Sequence, residues 1–259
     1  MSAGAKAAGV CLALVLILLA LACAVYAMAA DGSLLSAEML RRAPPQTTGL
    51  PEAEYPGVGR MTAGYLTGKL PVFQYTFSVG ESTYLCFQEH EAAHMADCRG
   101  LILLAGSLRW VFGAAAGILA CAGILLKRRE AFAGGMLAGL RAAGVLGSVI
   151  LAWALADFDS FFTAFHRVAF TNDGWLLDPR TDLLLRLMPA DFFMALGLRA
   201  LAAMLCAALL TDLAARMIRR RSRSGRSRNG HAIRGNFPPA GGGVEKSGNR
   251  KDPGTGDQL

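Results

Sequence analysis

The chain has 259 residues, of which 54% are hydrophobic and only 17% charged, with a formal net charge of +7. That balance excludes an ordinary soluble domain and a disordered regulator, and points to a membrane protein. Residues 216–259 carry 9 Arg and 2 Lys against 3 acids, a surplus of +8, so the rest of the chain is close to neutral at about −1 and the basic character belongs to the tail.

A helical span needs about 20 largely apolar residues to cross roughly 30 Å of hydrocarbon. Four stretches qualify, at about 7–30, 100–126, 136–156 and 192–211. The first is free of charge, and the others contain one arginine each, Arg109, Arg141 and Arg199. Lipid offers backbone groups no partners, so the expected fold is all-α, a four-helix transmembrane bundle. Lysine and arginine in short flanks favour the cytoplasm. Lys6, the Lys127-Arg128-Arg129 loop and the run from Arg216 therefore place both termini inside. This leaves 31–99 and 157–191 as an extracytoplasmic cap on a membrane domain of residues 1–215. The tail, 216–259, is rich in Gly, Ser and charge and cannot bury a core, so it reads as disordered, a solvated orientation signal with no nucleic-acid partner.

In chain order, the first span contains Ala20-Leu21-Ala22-Cys23, a faint likeness to a lipoprotein cleavage site. Ala20 stands where Leu is usual and the apolar run continues to Ala30, so the span reads as uncleaved. Pro44, Pro45, Pro51 and Pro56 argue against any continuous helix or strand over 33–59. Residues 71–84, rich in Phe, Tyr, Val and Thr and interrupted by Gly80, suggest one or two short strands. From Phe87 the spacing becomes helical and runs without a break into the second span. Cys11, Cys23, Cys121 and Cys206 lie in spans, whereas Cys86 and Cys98 face outward and leave a disulfide open.

His90-Glu91-Ala92-Ala93-His94 matches the HExxH zinc signature, in which two ligands sit one helical turn apart beside a glutamate base. A membrane zinc protease is therefore one reading. Against it, no third ligand follows at a usual spacing, and the motif precedes the span instead of lying within it. No metal site is expected. A second alternative is a non-enzymatic membrane scaffold whose basic tail recruits a cytoplasmic partner.

The third span is followed by Phe161-Phe162-Thr163-Ala164-Phe165-His166-Arg167-Val168-Ala169-Phe170-Thr171-Asn172-Asp173-Gly174-Trp175-Leu176-Leu177-Asp178-Pro179-Arg180-Thr181-Asp182. Together with His94-Met95-Ala96-Asp97 before the second span, it resembles the paired signature of the lipoprotein intramolecular transacylases, four-helix membrane proteins. The likeness covers roughly 62–193. It departs at Pro189-Ala190, where the family has Pro-Glu, although Asp191 is adjacent. It also departs at Cys98, where Val is usual, a change expected to affect packing and leave the chemistry alone.

The resemblance implies an acyltransferase of the bacterial cell membrane that acts on diacylglyceryl-modified lipoproteins among membrane lipid. It would move the sn-2 acyl chain to the α-amine of the N-terminal cysteine and leave a lyso-form. Ester aminolysis needs a base, donors for the tetrahedral oxyanion and a dry site, but no cofactor. An α-amine with pKa near 8 is already roughly a tenth neutral at pH 7, and an imidazole is a competent base. No Gly-x-Ser-x-Gly elbow is evident and no protein nucleophile is required. The expected catalytic pair is His94 and His166, at the outer face of the bilayer. Asp97, one helical turn after His94, is a candidate to hold that ring's tautomer. Asn172 and Asp173 are candidates to bind the amine or polarise the ester. Trp175 reads first as an interfacial anchor, and Asp178 with Asp182 as a turn followed by a helix cap. Arg109 and Arg199, deep for arginines, are candidates to hold an ester carbonyl, pair with an acid or snorkel.

Overall fold

A computed structural model describes residues 2–125 and 128–234, with side chains to residue 222. The chain divides into two units, Met1–Arg220 and Arg221–Leu259. The elements are α1 (Ser2–Ala30), α2 (Gly32–Arg42), α3 (Pro45–Thr48), a 3-10 turn (Glu52–Glu54), α4 (Tyr55–Leu66), β1 (Thr76–Val79), β2 (Ser82–Leu85), α5 (Glu89–Leu125), α6 (Arg129–Ala156), α7 (Phe158–Ala169), α8 (Leu183–Leu187) and α9 (Ala190–Arg234). Four helices are long and apolar enough to cross a membrane: Ser2–Ala30, Glu89–Leu125, Arg129–Ala156 and Ala190–Ser222. Each contains one expected span. Leu126, at the end of the second, lies outside the described residues, as does the tail from 235 onward. α9 runs well beyond 211, because serine, arginine and isolated glycines tolerate a helix and the first proline beyond it is Pro238.

α1 sits between α5 and α6. With lipid on the outside, little hydrophobic drive separates helix–helix from helix–lipid contact, so close packing of small residues must hold the bundle. Gly135 of α6 approaches Lys6 of α1, Gly9 of α1 approaches Phe132 and Met136 of α6, and a Cβ on Gly139 would stand 2.8 Å from Val10 O. Leu12, Ala13, Phe132, Met136 and Ala215 form the core at this end. The remaining helix faces expose an apolar belt, including Val111, Ile118, Val145, Val149, Leu205 and Leu209, as lipid-facing surfaces do.

The opposite end carries the cap. The prolines break it into short helices, with Pro45 and Pro56 in the first turns of α3 and α4, where a missing N–H costs nothing. Residues 71–84 do contain strands: β1 and β2 pair antiparallel, Thr76 opposite Leu85, through a turn in which Gly80 has φ +62. Tyr55, Met39, Leu50, Phe73, Phe87, Leu187 and Phe192 fill the cap core. Buried Glu38 of α2 accepts from Arg199 Nη2 of α9 at 2.6 Å and from Arg42 Nε at 3.1 Å. Arg199 foremost holds that carboxyl below the ordinary glutamate range. Cys86 and Cys98 are both free thiols, and burial pushes the Cys86 thiol up to about 11.

Candidate active site

The first two turns of α5 make two different sets of contacts. In the first, Glu91 is fully buried and accepts the backbone N–H of Gln88 at 2.7 Å and of Leu184 at 2.6 Å. The first contact is half of a capping box at the start of α5; the second caps α8 from another part of the chain. Beside it, His90 Nε2 lies 3.0 Å from Asp182 Oδ1. Asp182 also accepts from Thr181 Oγ1 at 2.9 Å and from the Asp178 amide at 2.8 Å. Burial pushes the Asp182 carboxyl up, but the Asp178 amide, His90 and Thr181 outweigh it and hold it below the ordinary range.

This arrangement removes the protease geometry. The glutamate that would act as base is consumed by two amides, and His90 is turned to Asp182 while His94 points elsewhere. Among the described residues no group of three His, Cys, Asp or Glu side chains is placed to hold a metal ion.

One turn on, His94 meets His166, with ring centroids 6.1 Å apart and both residues buried, 8% and 7% exposed. His166 comes from the last turn of α7, whose first turn is capped by Asp157 accepting from the Ser160 amide at 3.0 Å. His166 Nδ1 lies 2.8 Å from Phe162 O. A carbonyl only accepts, so Nδ1 carries the proton and a neutral ring leaves Nε2 bare. Phe162 at 4.3 Å, Trp175 at 5.0 Å and Phe170 at 5.5 Å enclose the ring, and Phe170 also packs on His94 at 5.2 Å. Trp175 is thus a wall of the histidine site as well as an aromatic of the cap.

Asp97 differs from expectation. Its carboxylate accepts from Asn172 Nδ2 at 2.9 Å, joining α5 to the loop after α7, and the group that meets His94 Nε2 is Cys98 Sγ at 3.5 Å. His94 Nδ1 is buried with no hydrogen-bond partner among the described residues. Asn172 Oδ1 accepts from the Gly174 amide at 2.9 Å, and Asn172, Asp173, Arg167 and Trp175 line a cavity of about 280 Å³ beside the histidines. Asp178 is taken up by its own turn: it grips the Arg180 guanidinium, Nη2 at 2.7 Å, which holds its carboxyl low. Asp182 stands at the N-cap position of α8 but makes no side-chain cap there: its carboxylate serves the Asp178 amide, and Glu91 accepts from the Leu184 amide instead. Arg109 lies over the Tyr26 ring at 4.0 Å and donates to Gly106 O at 3.0 Å, so its cation is satisfied between α1 and α5. Arg199 takes the acid-pairing option through Glu38.

Glu91 as a structural cap and Cys98 as a contact of His94 were not expected from the sequence. Both left a signal: Glu91 sits three residues after Gln88, which immediately precedes α5, and Cys98 one turn after His94.

The class is that of multi-pass helical membrane proteins, here with two histidines facing each other in an aromatic pocket. The family model described as lipoprotein intramolecular transacylase Lit matches residues 9–193, and the chain belongs to that family. The membrane-integral lipoprotein intramolecular transacylase Lit from Bacillus cereus has a similar structure, with TM-score 0.67, 20% identity, and 86% of this chain and 98% of that chain covered. Structures of that protein with one histidine replaced by alanine or by arginine give TM-scores of 0.64 and 0.63 at 19% and 18% identity. They cover 86% and 87% of this chain, and 96% and 95% of theirs. A search among curated proteins gave no match. The chain is a multi-pass membrane acyltransferase that carries out intramolecular acyl transfer in lipoproteins.

Proposed function

We propose that the enzyme moves the sn-2 acyl chain of a diacylglyceryl-modified lipoprotein to the α-amine of its N-terminal cysteine, with His166 as general base and His94 as its partner. The orientation of His166 supports this most directly: Nδ1 is committed to Phe162 O, so Nε2 is free to take a proton. The amine nitrogen attacks the sn-2 ester carbonyl while its proton passes to His166 Nε2. The tetrahedral oxyanion collapses, the C–O bond breaks, and the proton returns to the departing glyceryl oxygen. An amide and a free hydroxyl result, and neither water nor cofactor enters the balance.

Donor and acceptor belong to one molecule, so holding them close supplies much of the acceleration. The aromatic enclosure keeps water from competing with the amine. Asn172 and Asp173, lining the adjoining cavity, bind the amine, while Asp97 steadies Asn172. The Lys and Arg asymmetry supports cytoplasmic termini, which puts the site at the outer leaflet, with the lipid chains entering between helices.

The test is to express the protein in a bacterium that makes diacyl lipoproteins and to locate the acyl chain on their N-terminal peptides by fragmentation mass spectrometry. The wild type should give N-acyl lyso-peptides, and His166→Ala and His94→Ala should each lower their formation about 100-fold or more. Undiminished transfer in either variant overturns that residue's role.

A further inference from the structure

Cys98 follows His94 by four residues on α5, the spacing that brings two side chains onto one helix face, and its Sγ lies 3.5 Å from His94 Nε2. The other ring nitrogen, Nδ1, is buried and unpartnered among the described residues, in a side chain only 8% exposed. A neutral imidazole has one donor and one acceptor nitrogen, so the sense of the sulfur contact decides what Nδ1 presents to a substrate. The nitrogen lone pair accepts better than sulfur does, and a neutral thiol has a proton to give; S–H···N is the favoured sense.

We infer that Cys98 is a positioning residue whose thiol donates to His94 Nε2, holds the ring as the Nδ1–H tautomer, and so points a hydrogen-bond donor into the site. This rests on the reading of His94 and His166 as the reacting pair and divides the labour between them. His166 presents a bare Nε2 to the amine. His94 presents Nδ1–H to the ester oxygen on which negative charge develops, where a preorganised donor acts most strongly. The two rings then do not compete for the same proton. Position 98, expected to matter for packing alone, thereby reaches the chemistry. A valine there packs but cannot donate, so its loss changes the degree of activity and does not abolish it.

The experiment uses the full chain in detergent micelles with 15N-labelled histidine, read by long-range 1H–15N correlation above the titration of the rings. His94 signals are identified by their loss in His94→Gln. Wild type and Cys98→Ser should both show His94 protonated on Nδ1, and Cys98→Val should populate the Nε2–H form. With a synthetic diacylglyceryl-cysteine peptide, Cys98→Val should lower kcat about 5-fold at little change in KM, and Cys98→Ser should recover most of it. Nε2–H in the wild type overturns the proposal without any variant having to fold. So does a Cys98→Val enzyme matching wild type in tautomer and kcat. Full activity in His94→Ala would instead defeat the reading beneath it, so the two failures are distinguishable.

Discussion

Successive turns of one helix, at the start of α5, do opposite work. His90 and Glu91 bind inward groups of the 178–184 segment and are spent on structure. His94 and Asp97, one turn on, meet α7 and the loop after it, Cys98 meets His94, and one buried ring nitrogen has no partner among the described residues. A polar group with all its hydrogen bonds made holds a fold, whereas a buried polar atom left without a partner costs stability, and at a cluster of titratable groups a catalytic role is one explanation for it. That contrast separates the two histidines of a motif that treats them as equals.

The largest effect is expected in the first of these turns. Glu91→Ala strips a fully buried acceptor from two backbone amides and should cost about 2–4 kcal/mol, read as a lowered thermal midpoint in detergent. Because α8 and the start of α5 loosen together, transfer should fall with it, and Glu91→Gln should recover part of both. Unchanged stability in Glu91→Ala would mean that the cap does not depend on this tie.

The Asp182 ties should show in the pH dependence of stability. Its folded carboxyl titrates below the ordinary aspartate value, so its contribution is fully present above about 3.9 and is lost as pH falls through the depressed folded value. Wild type should therefore exceed Asp182→Asn in unfolding free energy at neutral pH by about 2 kcal/mol. The margin should shrink below pH 4. A margin constant down to pH 3 would show that the carboxylate charge is not what matters.

The smallest change is expected at His90. Its side chain is 53% exposed, so His90→Ala should change stability by under about 1 kcal/mol and the transfer rate by no more than about 2-fold. A loss comparable to that of His94→Ala would erase the distinction between the two turns.

Much of the architecture was legible without coordinates, since the four spans, the proline-broken cap, the strands around Gly80 and the unbroken run from Phe87 into the second span are local consequences of apolar length, missing N–H groups and backbone freedom. The motif order also singled out His94 and His166. Partner choice was not legible, because it depends on which way each side chain leaves its helix and what distant segment arrives there. Asp97 was matched to its helical neighbour His94, yet Asn172, 75 positions away, takes it; Glu91 was read as a zinc-type base, yet it caps α8. Sequence alone determined that this chain must lie in a membrane with two histidine motifs at one end of the bundle, because hydrophobic length and residue order are properties of the chain itself. The tertiary structure decided which histidine is spent and which is kept, because burial and the completeness of each hydrogen-bond set exist only once separate helices share one mouth.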